Sequence, residues 1–206
     1  MPAPREPSNR GAASESELVV ALRAAQSAAR DGFERLYAGA VPALVAWTRL
    51  RVAGLPPGRV EVDEVVQETC VRALENFGRF TERASFRSWA IGIAQKVLLE
   101  MMRRDGRVRS APLHSDGRSH LSQVPDSVTT VSRAVARDDG FARMVAWIFE
   151  LPSEDRELLL LHALEERPLA SVAERLHVSE EAVAKRWQRL RARLQEQPLF
   201  ISVLEG

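Results

Sequence analysis

A chain of 206 residues with 45% hydrophobic residues has room for one or two globular domains, and its 29 basic residues nearly balance 28 acidic ones for a net charge of +1. That balance argues against a protein that holds duplex nucleic acid tightly by itself, because phosphate neutralisation supplies most non-specific affinity. Cys70 is the only cysteine, which excludes an intrachain disulfide and a multi-cysteine metal site, and His114, His120, His162 and His177 lack paired ligand spacing, so no metal and no other cofactor is assigned.

Residues 1–15 are rich in Pro, Ala and Ser and lack the apolar core of a signal peptide; a disordered N-terminus is expected. No apolar run is long enough to span a bilayer, so a soluble cytoplasmic protein without membrane insertion is expected. From residue 16 the pattern is helical. Leu18, Val19, Leu22 and Ala25 predict a first helix, and Asp31 opens a second that carries Phe33, Leu36, Tyr37, Val41, Leu44, Val45 and Trp47, with Pro42 expected to kink or restart it. Gly54-Leu-Pro-Pro-Gly58 is a break. A third helix, Glu61 to Phe77, buries Val62, Val65, Val66, Thr69, Ala73 and Phe77 and turns Glu64, Gln67, Glu68, Val71 and Glu75 outward as an acidic stripe. Cys70 on its apolar flank reads as a buried, inert thiol, with a redox sensor as the other reading. The loop Gly78 to Ala84 leads to a fourth helix, capped by Ser85, whose inner stripe is Phe86, Trp89, Ala90, Ile93, Val97 and Met101.

Residues 16–105 therefore form one helical block, and residues 106–127, with Gly106, Pro112, Gly117 and Pro125 among polar residues, form a linker. A second block, 128–197, starts with Phe141, Met144, Val145 and Ile148, breaks at Leu151-Pro152, and continues from a Ser153 cap through Leu158, Leu161 and Leu164. The tail 198–206 holds an apolar run, Leu199 to Val203, expected to pack on the second block. The fold class is all-α: two small helical domains joined by a flexible linker, the second containing a helix-turn-helix.

The helix-turn-helix is PLASVAERLHVSEEAVAKRWQRLRARL, Pro168 to Leu194. Leu169, Val172, Ala173 and Leu176 carry its first helix; Val178 fills the corner; Ser179 caps the second helix, with Glu180 and Glu181 in the first turn where the helix dipole favours negative charge. Val183, Trp187, Leu190 and Leu194 form a buried seam, so Glu181, Lys185, Gln188, Arg189 and Ala192 face outward, flanked by Arg186, Arg191 and Arg193. Five basic residues between Lys185 and Arg193 suit phosphates and base edges, and Gln188 offers a paired donor and acceptor to adenine. A solvated basic face is the other reading of this charge run; the helix-turn-helix corner favours DNA. In the first block, Phe77, Arg79, Phe80 and Arg83 precede Arg87 and Trp89, and aromatics beside arginines suit single-stranded nucleic acid, where bases stack and phosphates meet cations; Phe77, Phe86 and Trp89 also read as core. No nucleophile–base set and no nucleotide loop is present, so an enzyme is not expected.

DEVVQETCVRALENFGRF (Asp63 to Phe80) with ASFRSWAIGIAQKVLLEMMRR (Ala84 to Arg104) resembles the second conserved region of the extracytoplasmic-function sigma factors of bacterial RNA polymerase, and Leu151 to Leu194 is similar to the fourth. The resemblance spans residues 16 to 197 in order. It implies that Asp63, Glu64, Gln67, Glu68 and Val71 bind core RNA polymerase, on the coiled coil of its largest subunit. It implies that Arg79, Phe80, Arg83, Ser85, Arg87, Lys96, Arg103 and Arg104 address the minus-ten element of promoter DNA, with Arg107 and Arg109 either adding phosphate contacts or serving as linker charges. It implies that Glu181, Lys185, Arg186, Gln188, Arg189, Arg191 and Arg193 address the minus-thirty-five element, and that an anti-sigma factor is a further partner. The chain departs from the family pattern at His177, where Gly is common, at Gln95 and Glu100, where Asn and Asp are frequent, and at Ala184, where Lys is common. A stand-alone helix-turn-helix regulator and a sigma-like sequestering protein are the alternative functions.

Overall fold

The computed structural model of the protein describes residues 15–56, 58–81, 84–108, 130, 134–135 and 137–197. Along the chain lie α1 (Glu15–Val52), α2 (Val62–Glu75), a 3-10 turn (Phe77–Arg79), α3 (Phe86–Val108), α4 (Asp139–Glu150), α5 (Ser153–Leu158), a π-helix (Leu159–Leu164), α6 (Leu169–Leu176) and α7 (Glu180–Gln195), and the described residues contain no strand, in keeping with an all-α fold. The chain divides into a small unit, Met1–Phe33, and a main unit, Glu34–Gly206, that holds everything from α2 to α7. Residues 1–14, most of the expected linker and the tail 198–206 lie outside the described residues, as does Arg83.

The expected pair of N-terminal helices is a single one: α1 runs unbroken through Gly32 and Pro42. A proline in a helix interior removes one backbone bond and costs about 3 kcal/mol. Around Pro42 the residues Ala40, Val41, Ala43, Leu44, Val45, Ala46 and Trp47 are all buried, and at roughly 1.5–3 kcal/mol for each large apolar side chain this burial outweighs the loss. The first block thus has three α-helices where four were expected. Tyr37 joins α1 to α2 by donating its hydroxyl to the Val66 carbonyl at 2.7 Å. Thr48 and Thr69, both buried, satisfy their hydroxyls on the carbonyls one turn back, Leu44 and Val65, at 2.7 Å. Cys70 is fully buried, and burial first, then the nearby charge of Glu34, pushes its thiol up to about 12, so it stays a protonated, inert side chain.

On α3 the buried arc is Phe86, Ala90, Ile91, Ala94, Val97 and Leu98. Ile93 and Met101, expected inside, are half-buried, because the three- and four-residue steps that face α2 run through Ile91 and Leu98. In the C-terminal half, the Asp138 carboxylate accepts from the Phe141 amide and caps α4, which buries Phe141, Met144, Val145 and Ile148. Ser153, expected as a cap, is instead the first residue of α5 after Pro152, with no side-chain capping bond. The π-helix buries Leu159, Leu160, Leu161, Ala163 and Leu164.

The helix-turn-helix forms as its residues require. Ser179 Oγ accepts from the Ala182 amide at 3.2 Å; Val183, Leu190 and Leu194 are buried, and the half-buried Trp187 meets the His162 ring edge-on at 4.8 Å. His177 closes α6 in the left-handed conformation, φ 56 and ψ 40, and the Val178 amide reaches the Ala173 carbonyl at 3.1 Å, the bond pattern that ends many helices with glycine. A Cβ in that conformation costs on the order of 1 kcal/mol. His177→Gly should therefore raise unfolding stability by about 1 kcal/mol in urea titrations, and His177→Val should lower it.

Candidate nucleic-acid and protein interfaces

The outward face of α7 carries Glu181, Lys185, Gln188, Arg189, Ala192 and Arg191, all exposed. Lys185 Nζ and Glu181 Oε1 form an i,i+4 pair at 2.7 Å, but both side chains are more than two-thirds exposed, so the pair is worth about 0.5 kcal/mol or less and is readily exchanged for a phosphate or a base edge. Two of the expected cations face elsewhere. Arg186 pairs with Glu154 at 3.1 Å and Asp155 at 3.3 Å on α5, while Arg193 approaches Asp155 at 3.8 Å with its guanidinium 5.6 Å from the Trp147 ring centre. These contacts brace α7 on α5, and Asp155, Arg186, Arg189, Leu190 and Arg193 line a pocket of about 230 Å³ there.

On α2, Asp63 and Glu64 are exposed, and Gln67 and Glu68 are half-buried. Val71, expected on the outward stripe, is 4% exposed. It is inside because α2 meets both α1 and α3, which widens its buried arc to Val65, Val66, Thr69, Cys70, Val71 and Ala73. Arg72 bridges Glu68 on its own helix at 2.8 Å and Glu100 on α3 at 2.7 Å, and with Arg104 and Arg103 nearby it holds the Glu100 carboxyl below its ordinary range.

After α2, the 3-10 turn and the start of α3 gather an aromatic cluster. Phe80 is half-buried, stacked on Phe77 at 6.3 Å between ring centres and meeting Phe86 at 5.4 Å and Trp89 at 5.2 Å. Ser85 caps α3, its Oγ accepting from the Ser88 amide at 3.1 Å. Arg79 and Ser85 are exposed beside this cluster and Arg87 is half-buried. Lys96, Arg103 and Arg104 are exposed but further along α3; sixteen residues separate Arg87 from Arg103, about 24 Å of helix. The expected minus-ten set is thus one group at the helix start and another toward its end.

Sequence reasoning passed over Glu165 and Glu166, which follow the π-helix. Glu165 has a side chain only 2% exposed. Its Oε1 accepts from Trp47 Nε1 at 3.0 Å and Arg51 Nη2 at 2.6 Å, its Oε2 accepts from Arg167 Nε at 2.8 Å, and its backbone oxygen accepts from Ser88 Oγ at 3.3 Å. Burial pushes this carboxyl up, but the bonds from Trp47, Arg51 and Arg167 and the Arg51 charge prevail and hold it below the usual carboxylate range. Glu166 Oε1 accepts from Ser85 Oγ at 2.6 Å and from Arg87 Nη2 at 2.7 Å. The turn before the helix-turn-helix therefore rests on the aromatic loop of the first block. The only hint in the sequence is an acidic pair set between an apolar helix and a proline.

With that geometry in view, the Sigma-70 region 2 family model matches residues 43–108 and the Sigma-70, region 4 model matches residues 148–194. Both matches are to regions of the sigma-70 family, and they follow in that order along the chain. The chain is 30% identical over 102 residues to the "Probable RNA polymerase sigma-C factor" of Mycobacterium bovis and, to the same extent, to the "ECF RNA polymerase sigma factor SigC" of Mycobacterium tuberculosis; each match covers 50% of this chain and 51% of the relative. The chain spans about half the length of the curated relatives it matches. No solved structure matches it. The chain belongs to the extracytoplasmic-function sigma factors of the sigma-70 family. Among the described residues, no helix is long and apolar enough to cross a membrane.

The Glu165 contacts carry a pH signature. A carboxyl held below its unfolded value adds stability above about pH 4.3, and that contribution fades as pH falls through the lowered folded-state value. Glu165→Gln should lower stability by about 2–4 kcal/mol at neutral pH, and the gap to the unaltered chain should narrow as acid is added below pH 4 or so, measured by urea unfolding at each pH.

Proposed function

We propose that the chain acts as a dissociable initiation factor that binds core RNA polymerase, recognises the minus-thirty-five element with α7 and helps open the minus-ten element with the aromatic loop and α3. The observation that carries this reading is the separation of charge on exposed faces: acid on α2 at Asp63 and Glu64, with Gln67 and Glu68 beside them, and cation on α7 at Lys185, Arg189 and Arg191. The acidic face repels DNA and suits a basic protein surface, where complementary charge governs encounter and register. Val71 is left out of that surface because it is buried. Arg79, Phe80, Arg83, Ser85 and Arg87 take the unpaired strand in this reading, with Lys96, Arg103 and Arg104 on the adjoining backbone. On α7, Lys185, Gln188 and Arg189 read bases, Arg191 meets phosphate, and Glu181, Arg186 and Arg193 orient that set. The polymerase supplies the chemistry, the setting is the cytoplasm, and an anti-sigma factor is the inhibitory partner.

Reconstitution with core polymerase on a promoter library tests the proposal: the chain should direct initiation from a defined pair of elements, and absence of initiation would refute it. Making the α2 face basic, with Gln67→Lys and Glu68→Lys together, should weaken association with core polymerase about tenfold, read by fluorescence anisotropy. Lys185→Ala or Arg189→Ala should cost about 1–3 kcal/mol and relax preference at a single base position; an equal loss on every sequence would mark a phosphate contact instead.

A further inference from the structure

His162, the one polar residue of the π-helix, is half-buried and holds two parts of the helix-turn-helix at once. Its Nδ1 donates to the Arg167 carbonyl at 2.7 Å, directly before α6 and its leading Pro168; because a carbonyl only accepts, that nitrogen carries the proton. The turn between them is closed by the Glu165 and Arg167 amides, which reach back to the Leu160 and Leu161 carbonyls, both at 2.9 Å, so the imidazole is fixed at its backbone and at its ring. That ring stands at 87° to the Trp187 indole, 4.8 Å between centres, in the middle of α7. The rest of the α7 seam is Val183, Leu190 and Leu194, buried and aliphatic. Aliphatic contacts have little preferred direction, whereas crossed rings do, so Trp187 is the seam position that decides how α7 is turned about its axis.

We infer that His162 is a positioning residue for base selection: through Trp187 it sets the rotation of α7, and so which base edges Lys185 and Arg189 meet. At 3.6 residues per turn, Lys185 and Arg189 each stand about 160° round the helix from Trp187, so His162 acts from the side away from the DNA and touches no base. A rotation of about 10° carries side-chain tips, about 5–6 Å from the axis, through about 1 Å, roughly twice the tolerance of a positioned hydrogen-bonding group. The DNA ligand of α7 rests on the proposed function; the tether of Trp187 to the start of α6 does not.

The test uses the full chain and two readouts, with circular dichroism to verify that each variant folds. The first needs no polymerase or DNA: the indole N–H resonance of Trp187, assigned by its absence in Trp187→Phe, should move in His162→Asn, and an unmoved resonance overturns the contact. The second is initiation with core polymerase, read as the ratio between the preferred minus-thirty-five sequence and its single-base variants. His162→Asn keeps a donor for the Arg167 carbonyl but has no ring, and should lower this ratio about tenfold at the positions that respond to Lys185→Ala or Arg189→Ala. His162→Phe keeps a ring but gives that carbonyl no donor, and should show a loss at the same positions; full preference in this variant overturns the tether. Trp187→Leu should lose the same preference, and adding His162→Asn to it should remove nothing further, whereas additive losses overturn the route through Trp187. Tyr37→Phe, which removes a buried hydrogen bond in the first block, should reduce initiation on all sequences alike and leave the ratio unaltered. An even reduction of that kind in His162→Asn, or a changed ratio in Tyr37→Phe, assigns His162 to stability alone and overturns the inference. If the unaltered chain initiates from no promoter, the proposed function fails and base selection with it; if it initiates with a preference that His162→Asn leaves intact, only the role of His162 fails.

Discussion

The buried Glu165 carboxylate is the interaction on which the arrangement of the two regions depends. An ionised carboxylate taken from water without partners costs several kcal/mol, and within its own turn Glu165 is met by Arg167. Trp47 and Arg51, more than a hundred residues away, supply the remaining donors at 3.0 and 2.6 Å. The turn that follows the π-helix can therefore be buried only where α1 meets it. Arg51 also lies 3.6 Å from Glu157, which in turn takes Arg175 at 3.2 Å, so alternating charges run from α1 through α5 to the first helix of the helix-turn-helix. Arg49 adds a contact above the Phe141 ring at 5.4 Å.

This network also explains how a chain with net charge of +1 can present opposed faces. Glu154, Asp155, Glu157, Glu165 and Glu166 each engage an arginine of another element. Lys185 Nζ is tied to an exposed neighbour, Glu181, and Arg189 and Arg191 remain exposed on α7. On α2 the balance is reversed, with Asp63 and Glu64 left outward and Arg72 turned between Glu68 and Glu100. Near-neutrality summed over the chain says nothing about the local potential, which is what a partner surface meets.

Local signals were legible in the sequence, and distant ones were not. The helix-turn-helix could be read because its capping serine, corner and apolar seam lie within a few residues of one another, and Ser179, Val183, Leu190 and Leu194 do what their spacing implies. The aromatic loop was legible for the same reason. Val71 was misplaced because a helix packed on one side and a helix packed between two neighbours have the same periodicity, and only the tertiary partners of α2 widen its buried arc. Pro42 misled because its local cost is real, and the burial that overrides it comes from residues brought in by folding. Glu165 and Glu166 were invisible, since nothing in a pair of glutamates indicates that Trp47, Arg51, Ser85 and Arg87 will stand opposite them.

Among the described residues, the two non-glycine positions with left-handed backbone, Glu166 and His177, bear on how α6 is held. A helix of eight residues such as α6 is too short to be stable alone, so its direction is set by what holds its ends. At one end the Arg167 amide reaches back to the Leu161 carbonyl at 2.9 Å around Glu166; at the other the Val178 amide reaches Ala173 at 3.1 Å around His177. The His177 corner sets the angle between α6 and α7 and is internal to the helix-turn-helix. The Glu166 corner is different, because its side chain is bound by the first region.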